Sequence, residues 1–361
     1  MLYHLLSPLK SRFILFNLFR YITFRVAGAF VTAFLISFIF APLVIRYFRR
    51  IGATSQIRVD VPSTHQAKKG TATMGGVIVI IGVVVSTLLW ANLQSWYIWL
   101  PLVVTLASGA LGFVDDYYKD VKKISNGLLI REKLIFQIIL GLLVGFFLYF
   151  LAPSKNLRGI TESLFLKNLI INLGIFYIPA VAVVLVGTIN AINIVDGLDG
   201  LAGGLTAIVA GVFVAVSYIS GRRDFANYLA IFYLPGASEL SIFASALTGG
   251  ILGFLWYNTY PAQIFLGDTG SLAIGGAISS MAVLLKKELL LFILGGVFVV
   301  ETLTVIIQII SFRCFGKRVF KIAPIHHSFE LDGMAEPKIV VRFWIVGILF
   351  ALFGLGTFKL R

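Results

Sequence analysis

Five short strings hold most of the residues able to do chemistry. Asp115 and Asp116 stand side by side in Gly112-Phe113-Val114-Asp115-Asp116-Tyr117-Tyr118-Lys119. Adjacent carboxylates repel, and burying either is costly unless it is paired or holds a metal; the alternative is a solvated helix end. On a helix Lys119 would put an ammonium on the same face as one of them. The string Asn190-Ala191-Ile192-Asn193-Ile194-Val195-Asp196-Gly197-Leu198-Asp199-Gly200 offers oxygen ligands among glycines. Glycines let backbone approach a ligand closely, although a polar turn with helix caps would use the same residues. Asp268, in Leu266-Gly267-Asp268-Thr269-Gly270-Ser271, precedes an apolar run. It suits an N-cap, or a Mg²⁺ ligand beside a helix start that favours anions. His326 and His327 are too few for a zinc site, so they contact phosphate or sit in a solvated loop. The segment His65 to Gly76 mixes basic residues, hydroxyls and glycines. It would cradle a phosphate or anchor a helix among lipid headgroups.

Carboxylates for a metal and cations for phosphates are what Mg²⁺-assisted phosphoryl transfer requires. The elements that must position these groups lie in a membrane. Of 361 residues 59% are hydrophobic and 13% charged, against roughly 25% charged in an ordinary soluble domain. That excludes a soluble fold, and 32 Phe with 13 Tyr and 5 Trp exclude disorder. A single Cys excludes an intrachain disulfide framework. Continuous apolar runs point to helices rather than a β-barrel, whose strands would alternate. The expected fold is an all-α, polytopic membrane protein forming one integral membrane domain over residues 1–361.

About 20 apolar residues cross the hydrocarbon. Ten stretches qualify: Val26–Ile45, two within Gly70–Val114 divided at Asn92–Ser95, Leu134–Leu151, Leu173–Ile192, Gly200–Ser220, Ser241–Tyr257, Thr269–Leu285, Leu289–Phe312 with Glu301 inside it, and Ile339–Phe358. Residues 1–25, with four basic residues among aromatics, read as a segment lying in the interface. Phe225–Pro235 is too short to cross and reads as a re-entrant or surface piece. The loops that follow odd-numbered spans hold 16 Lys and Arg, those that follow even-numbered spans 7. The positive-inside rule therefore puts the former in the cytoplasm and both termini outside. Most of the 16 acids lie at that same cytoplasmic face, which orientation does not require.

The net charge of +14 fits basic loops at anionic headgroups or an anionic substrate; nucleic acid is not an expected partner. An ion-coupled transporter would use acids in broken spans, and only Glu301 lies where it would need one. An intramembrane aspartyl protease needs two facing Asp within the membrane, whereas these acids crowd one edge.

Taken together, the strings resemble the polyprenyl-phosphate N-acetylhexosamine-1-phosphate transferases over essentially the whole chain. The resemblance runs from Asn17–Arg25 through Thr73-Met74-Gly75-Gly76, Gly112–Tyr117, Asp196-Gly197-Leu198-Asp199-Gly200 and Phe254–Ser271 to Glu336-Pro337-Lys338 and Lys359-Leu360-Arg361. The His-His loop and Glu-Pro-Lys point to the bacterial muramoyl-pentapeptide branch. That resemblance implies ten membrane helices, a cytoplasmic active site in a bacterial inner membrane and commonly a homodimer. It implies transfer of phospho-MurNAc-pentapeptide from UDP-MurNAc-pentapeptide to undecaprenyl phosphate with Mg²⁺, giving lipid I and UMP. By matching motifs, Asp115, Asp116 and Asp268 are the implied catalytic carboxylates, with Asp268 and Asp116 at the metal. Lys68, Thr73, Lys119, Lys133, Asn193, Asp196, Asp199, His326 and His327 are the implied substrate-binding positions, and Phe265 a stacking surface for uracil. Direct in-line attack is the favoured chemistry, with Asp115 orienting or deprotonating the lipid phosphate and Asp116 supporting the metal site; the alternative is a covalent route through an aspartyl-phosphate. Two positions depart from the family pattern. Ser328 stands where a third His is usual, and Val195 where Thr is common before the first Asp of Asp-Gly-Leu-Asp-Gly.

Overall fold

The computed structural model describes residues 1–6, 8, 14–54, 70–124, 127–152, 157–163 and 170–359. Every expected span overlaps a long helix. These are α2 (Ile22–Arg50), α3 (Gly76–Trp90), α4 (Trp96–Asp116), α5 (Ile130–Phe146), α6 (Tyr177–Val195), α7 (Leu201–Ser220), α9 (Leu240–Asn258), α10 (Gly267–Leu284), α12 (Gly296–Phe315) and α14 (Glu336–Thr357). Four short helices complete the set: α1 (Leu2–Leu6), α8 (Arg223–Leu229), α11 (Glu288–Leu294) and α13 (Ile325–Leu331). Among the described residues, eight helical segments are long and apolar enough to cross a membrane. The two long helices outside that set are α3, apolar but short, and α10.

α10 departs from the apolar pattern because it has no lipid-facing side. Every residue from Thr269 to Leu284 is buried. Small residues let its neighbours approach closely, as membrane helix packing requires. A Cβ at Gly112 of α4 would lie 2.2 Å from the Asp268 carbonyl oxygen, and one at Gly76 of α3 2.1 Å from Gly270. A Cβ at Gly275 would meet Ile189 of α6 at 2.6 Å.

Three departures from the sequence reading have local causes. α2 begins at Ile22 rather than after residue 25. Arg25 is therefore inside the first long helix, 2% exposed, where its guanidinium donates to both carboxylate oxygens of Glu239 at 2.8 and 2.6 Å. The ninth apolar run is two helices, α11 and α12, broken at Gly295. The all-α expectation misses a small antiparallel hairpin, β1 (Ile160–Glu162) with β2 (Ile170–Asn172); strands of three residues are too short to leave a period in the sequence. The Phe225–Pro235 stretch, expected to be too short to cross, holds the end of α8, where Ala226 is the one buried residue, and an irregular tail.

The hairpin lies at the end of the bundle remote from the acid-rich strings. There Glu162 pairs with Lys287, and Glu288 accepts hydrogen bonds from Thr161 at 2.5 Å and Tyr177 at 2.6 Å.

Candidate active site

The acid-rich strings all fall at helix ends, and those ends meet. α4 delivers Asp115 and Asp116 and runs into a wide π-turn, Tyr117–Val121, that carries Lys119. Such turns recur at functional sites because they re-aim side chains within a helix. The first turn of α5 supplies Lys133, the last turn of α6 supplies Asn193, the residue capping its C-terminus is Asp196, and the first turn of α10 supplies Asp268. The 70–76 segment is tied on through backbone. Phe265 N–H donates to Ala72 at 2.8 Å, and Gly75 N–H donates to Phe265 at 2.8 Å.

Two lysines bridge two carboxylates. Lys119 Nζ lies 2.5 Å from Asp115 Oδ2 and 3.2 Å from Asp268 Oδ2. Lys133 Nζ lies 3.0 Å from each of the same two oxygens. Asp115 is fully buried, and its Oδ1 accepts the Leu128 N–H at 2.7 Å. Asp268 keeps 18% of its side chain exposed, and its Oδ1 accepts from Asn193 Nδ2 at 2.9 Å. Asn193 also reaches Ser271 Oγ at 2.9 Å. Asp115 therefore fixes the lysines from below, while Asp268 faces the opening.

Asp116 has a different task. Its carboxylate accepts the Asp268 N–H at 3.1 Å, the Thr269 N–H at 2.8 Å and the Thr269 hydroxyl at 2.6 Å. A carboxylate at a helix start satisfies orphan donors and complements the helix dipole. The amides of α10 that would suit a phosphate are thus engaged by Asp116. Gly267 makes this possible: its φ is +75°, a left-handed conformation that strains any residue with a side chain, and a Cβ there would lie 2.6 Å from Asp116 Oδ2.

Asp196 faces the same acids. Burial, then the negative charges of Asp268, Asp116 and Asp199, push its carboxyl up to about 8, although the Gly267 N–H opposes this. With Asp196 holding its proton, Asp115, Asp116 and Asp268 set three carboxylates against the two ammoniums, and Asp196 adds a fourth when it ionises. Among the described residues no three His, Cys, Asp or Glu side chains gather into a ready metal cage. Mg²⁺ needs no such cage, because one or two carboxylates suffice when substrate phosphates and water complete the octahedron. That charge balance and the partly exposed Asp268 fit one divalent cation.

The remaining expected residues lie around this basin. Thr73 is buried on the 70–76 segment and Phe265 is half-buried beside it. Asp199 is 4% exposed; its carboxylate accepts the Ala262 N–H at 3.0 Å and its own N–H donates to Glu336 at 2.7 Å. It therefore joins three of the loops at this end. Lys68 lies outside the described residues. α13 brings the histidines against the glycine-rich loop: a Cβ at Gly197 would lie 2.6 Å from His326 Nε2 and 3.2 Å from His327 Nε2. His327 Nδ1 is 2.7 Å from Glu330. Ser328, at the third-histidine position, donates to Ile322 O at 2.6 Å and so closes its own loop. Val195 is fully buried among apolar side chains.

Sequence reasoning missed the residues that tie the loops together. Glu301 is fully buried; its Oε2 accepts the Ile325 N–H at 2.8 Å, and its Oε1 is 3.3 Å from His326 Nδ1. The break at Gly295 places it at the depth of α13. The one acid that suited a transporter is thereby engaged in holding the histidine helix. Asn258 accepts the Gly200 N–H at 3.1 Å and donates to Ile264 at 2.9 Å. The only signal for either was a polar residue in an apolar run.

Comparison with known proteins agrees with this arrangement. Residues 98–286, which include Asp115, Lys119, Lys133, Asn193 and Asp268, match the glycosyl transferase family 4 model. A phospho-N-acetylmuramoyl-pentapeptide-transferase from Geobacter sp. (strain M21) is 50% identical over 364 residues, covering 100% of both chains. One from Citrifermentans bemidjiense is also 50% identical over 364 residues with the same coverage. One from Thermodesulfovibrio yellowstonii is 47% identical over 362 residues, again covering 100% of both. With its motifs joined in one basin and its whole length matched at about half identity, the chain belongs to the phospho-N-acetylmuramoyl-pentapeptide-transferase family.

Proposed function

We propose that the chain transfers phospho-MurNAc-pentapeptide from UDP-MurNAc-pentapeptide to undecaprenyl phosphate, giving lipid I and UMP. The observation that carries the reading is the bridging of Asp115 and Asp268 by Lys119 and Lys133 at the mouth of a membrane bundle. A phosphate-rich substrate entering there exchanges these contacts for contacts between its own oxygens and the two ammoniums. Asp268 would hold Mg²⁺, which supplies charge neutralisation at the diphosphate. Asp116, saturated by the start of α10, positions Asp268 rather than ligating. Asn193 fixes the Asp268 carboxylate. The half-buried Phe265 offers uracil a face worth roughly 1–3 kcal/mol of stacking.

In the reaction an oxygen of the acceptor phosphate forms a bond to the β-phosphorus of the nucleotide sugar. The bond from that phosphorus to the oxygen bridging to the α-phosphate breaks, and UMP leaves with the electron pair. A phosphomonoester has a second pKa of about 6, so the acceptor is largely dianionic at pH 7 and needs little help from a base. Positioning and charge balance then dominate, which is what the two lysines supply. Attack is direct, and the catalytic end faces the bacterial cytoplasm, with both termini outside. The same proposal includes assembly as a homodimer.

The test is turnover of the purified chain with both substrates, measuring UMP and lipid I. Asp268→Asn should lose about 10²–10³-fold in kcat, as should the parent in chelator, with Mg²⁺ restoring the latter. Full activity of Asp268→Asn, or full activity in chelator, would overturn the assignment.

A further inference from the structure

A groove of about 300 Å³ opens between α12, α13 and α14, away from the carboxylates. Its walls include Val300, Phe329, Met334, Phe343, Val346 and Phe350. Val346 is 43% exposed, so the groove is open along the side of a helix that crosses the membrane. An apolar groove on such a side is filled by hydrocarbon of the bilayer.

One cation stands at its mouth. Arg342 lines the groove and is exposed; its hydrogen bond is to Met334 Sδ at 3.5 Å. Lys338 lies four residues earlier on the same helix, also exposed, so both cations share one face. The nearby acids are committed elsewhere: Asp332 to Lys321, Glu330 to His327, and Glu336 to the Asp199 N–H. Phe350 lies eight residues beyond Arg342, about 12 Å farther along the helix at 1.5 Å per residue. A charged mouth joined to an apolar trough of that length matches a phosphodiester headgroup with an acyl chain below it.

We propose that this groove binds an anionic phospholipid of the surrounding bilayer, its phosphate between Lys338 and Arg342 and an acyl chain along Val346 and Phe350. Basic residues at a membrane surface each favour anionic lipid by on the order of fivefold. The bound lipid braces α13 from behind. Ile325 and Phe329 of that helix line the groove, while His326 and His327 meet Gly197 on another side.

The test uses the full chain in nanodiscs with photoreactive phosphatidylglycerol or phosphatidylcholine, each carrying a diazirine on one acyl chain. Adducts are mapped by peptide mass spectrometry. Phosphatidylglycerol should label the groove segments of α14 and α13 about tenfold more than phosphatidylcholine. The double substitution Lys338→Gln with Arg342→Gln should remove that preference. Val346→Trp, which fills the trough and leaves both charges, should lower labelling by either lipid. Equal labelling of the parent by the two lipids would overturn the proposal. So would displacement of the probe by undecaprenyl phosphate but not by excess phosphatidylglycerol, which would give the groove to the lipid substrate. The assay needs no turnover, so its failure is distinct from failure of the transferase reading.

Discussion

Asp196 registers the charge imbalance of the basin. Its carboxyl, ordinarily near 3.8, is pushed up to about 8 by burial and by neighbouring acids. The folded chain therefore keeps a proton that the unfolded chain has lost. That contribution to stability is complete below about pH 4 and is lost as pH rises to about 8. Asp196→Asn should remove the dependence. In chelator, the thermal midpoint of the parent should fall by at least about 2–4 °C more than that of the variant between pH 5 and pH 8.5. Parallel curves would mean that Asp196 is already ionised at pH 5. At this scale the sequence was legible where residue type alone signals chemistry, as at Asp115, Asp116 and Asp268. Glu301, Asn258 and Glu336 were opaque, because each partner is set by the path of a distant loop. Asp116 was legible as an acid but its hydrogen bonds to Asp268 and Thr269 were not, because they depend on α4 crossing the start of α10.

The elements act by close approach. The crossing of α4 and α10 leaves no room for a methyl group at Gly112, where a Cβ would be 2.2 Å from Asp268 O. Gly112→Ala and Gly267→Ala should each push Asp268 away from the lysines and lower kcat by about 10²-fold. Gly211→Ala, on α7 with nothing within 4 Å of its added methyl, should leave kcat unchanged. A loss at Gly211 equal to that at Gly112 would make the effect one of general destabilisation. Long apolar runs announced the ten long helices, and the polar tip at Asn92–Ser95 marked the turn between α3 and α4. The break at Gly295 lay hidden inside an unbroken apolar stretch, since hydropathy reports where a chain enters lipid and not where its axis bends.

At the scale of the molecule, all five loops expected on one face do join at one end. Lys123 donates to Gly52 O at 2.9 Å, Arg49 to Gln263 O at 3.4 Å, and the Asp199 N–H to Glu336 at 2.7 Å. Which side of the membrane that end faces rests on charge bias. Single cysteines at Lys123 and Gln94, both exposed positions, in a Cys314→Ser background should separate the possibilities. An impermeant maleimide added to intact cells should label Gln94→Cys and spare Lys123→Cys; the reverse pattern would invert the topology. The burial of α10 also bears on how the protein is made. With Asp268, four glycines and three serines among its 18 residues, the nascent segment leaves the ribosome without a surface that acyl chains solvate well. It partitions from the translocon less readily than α5 or α14. In the folded protein α3, α4 and α6 give it a protein-lined slot. The segment that carries Asp268 is thus held by protein rather than by lipid, and the acid-rich basin is completed by that same packing.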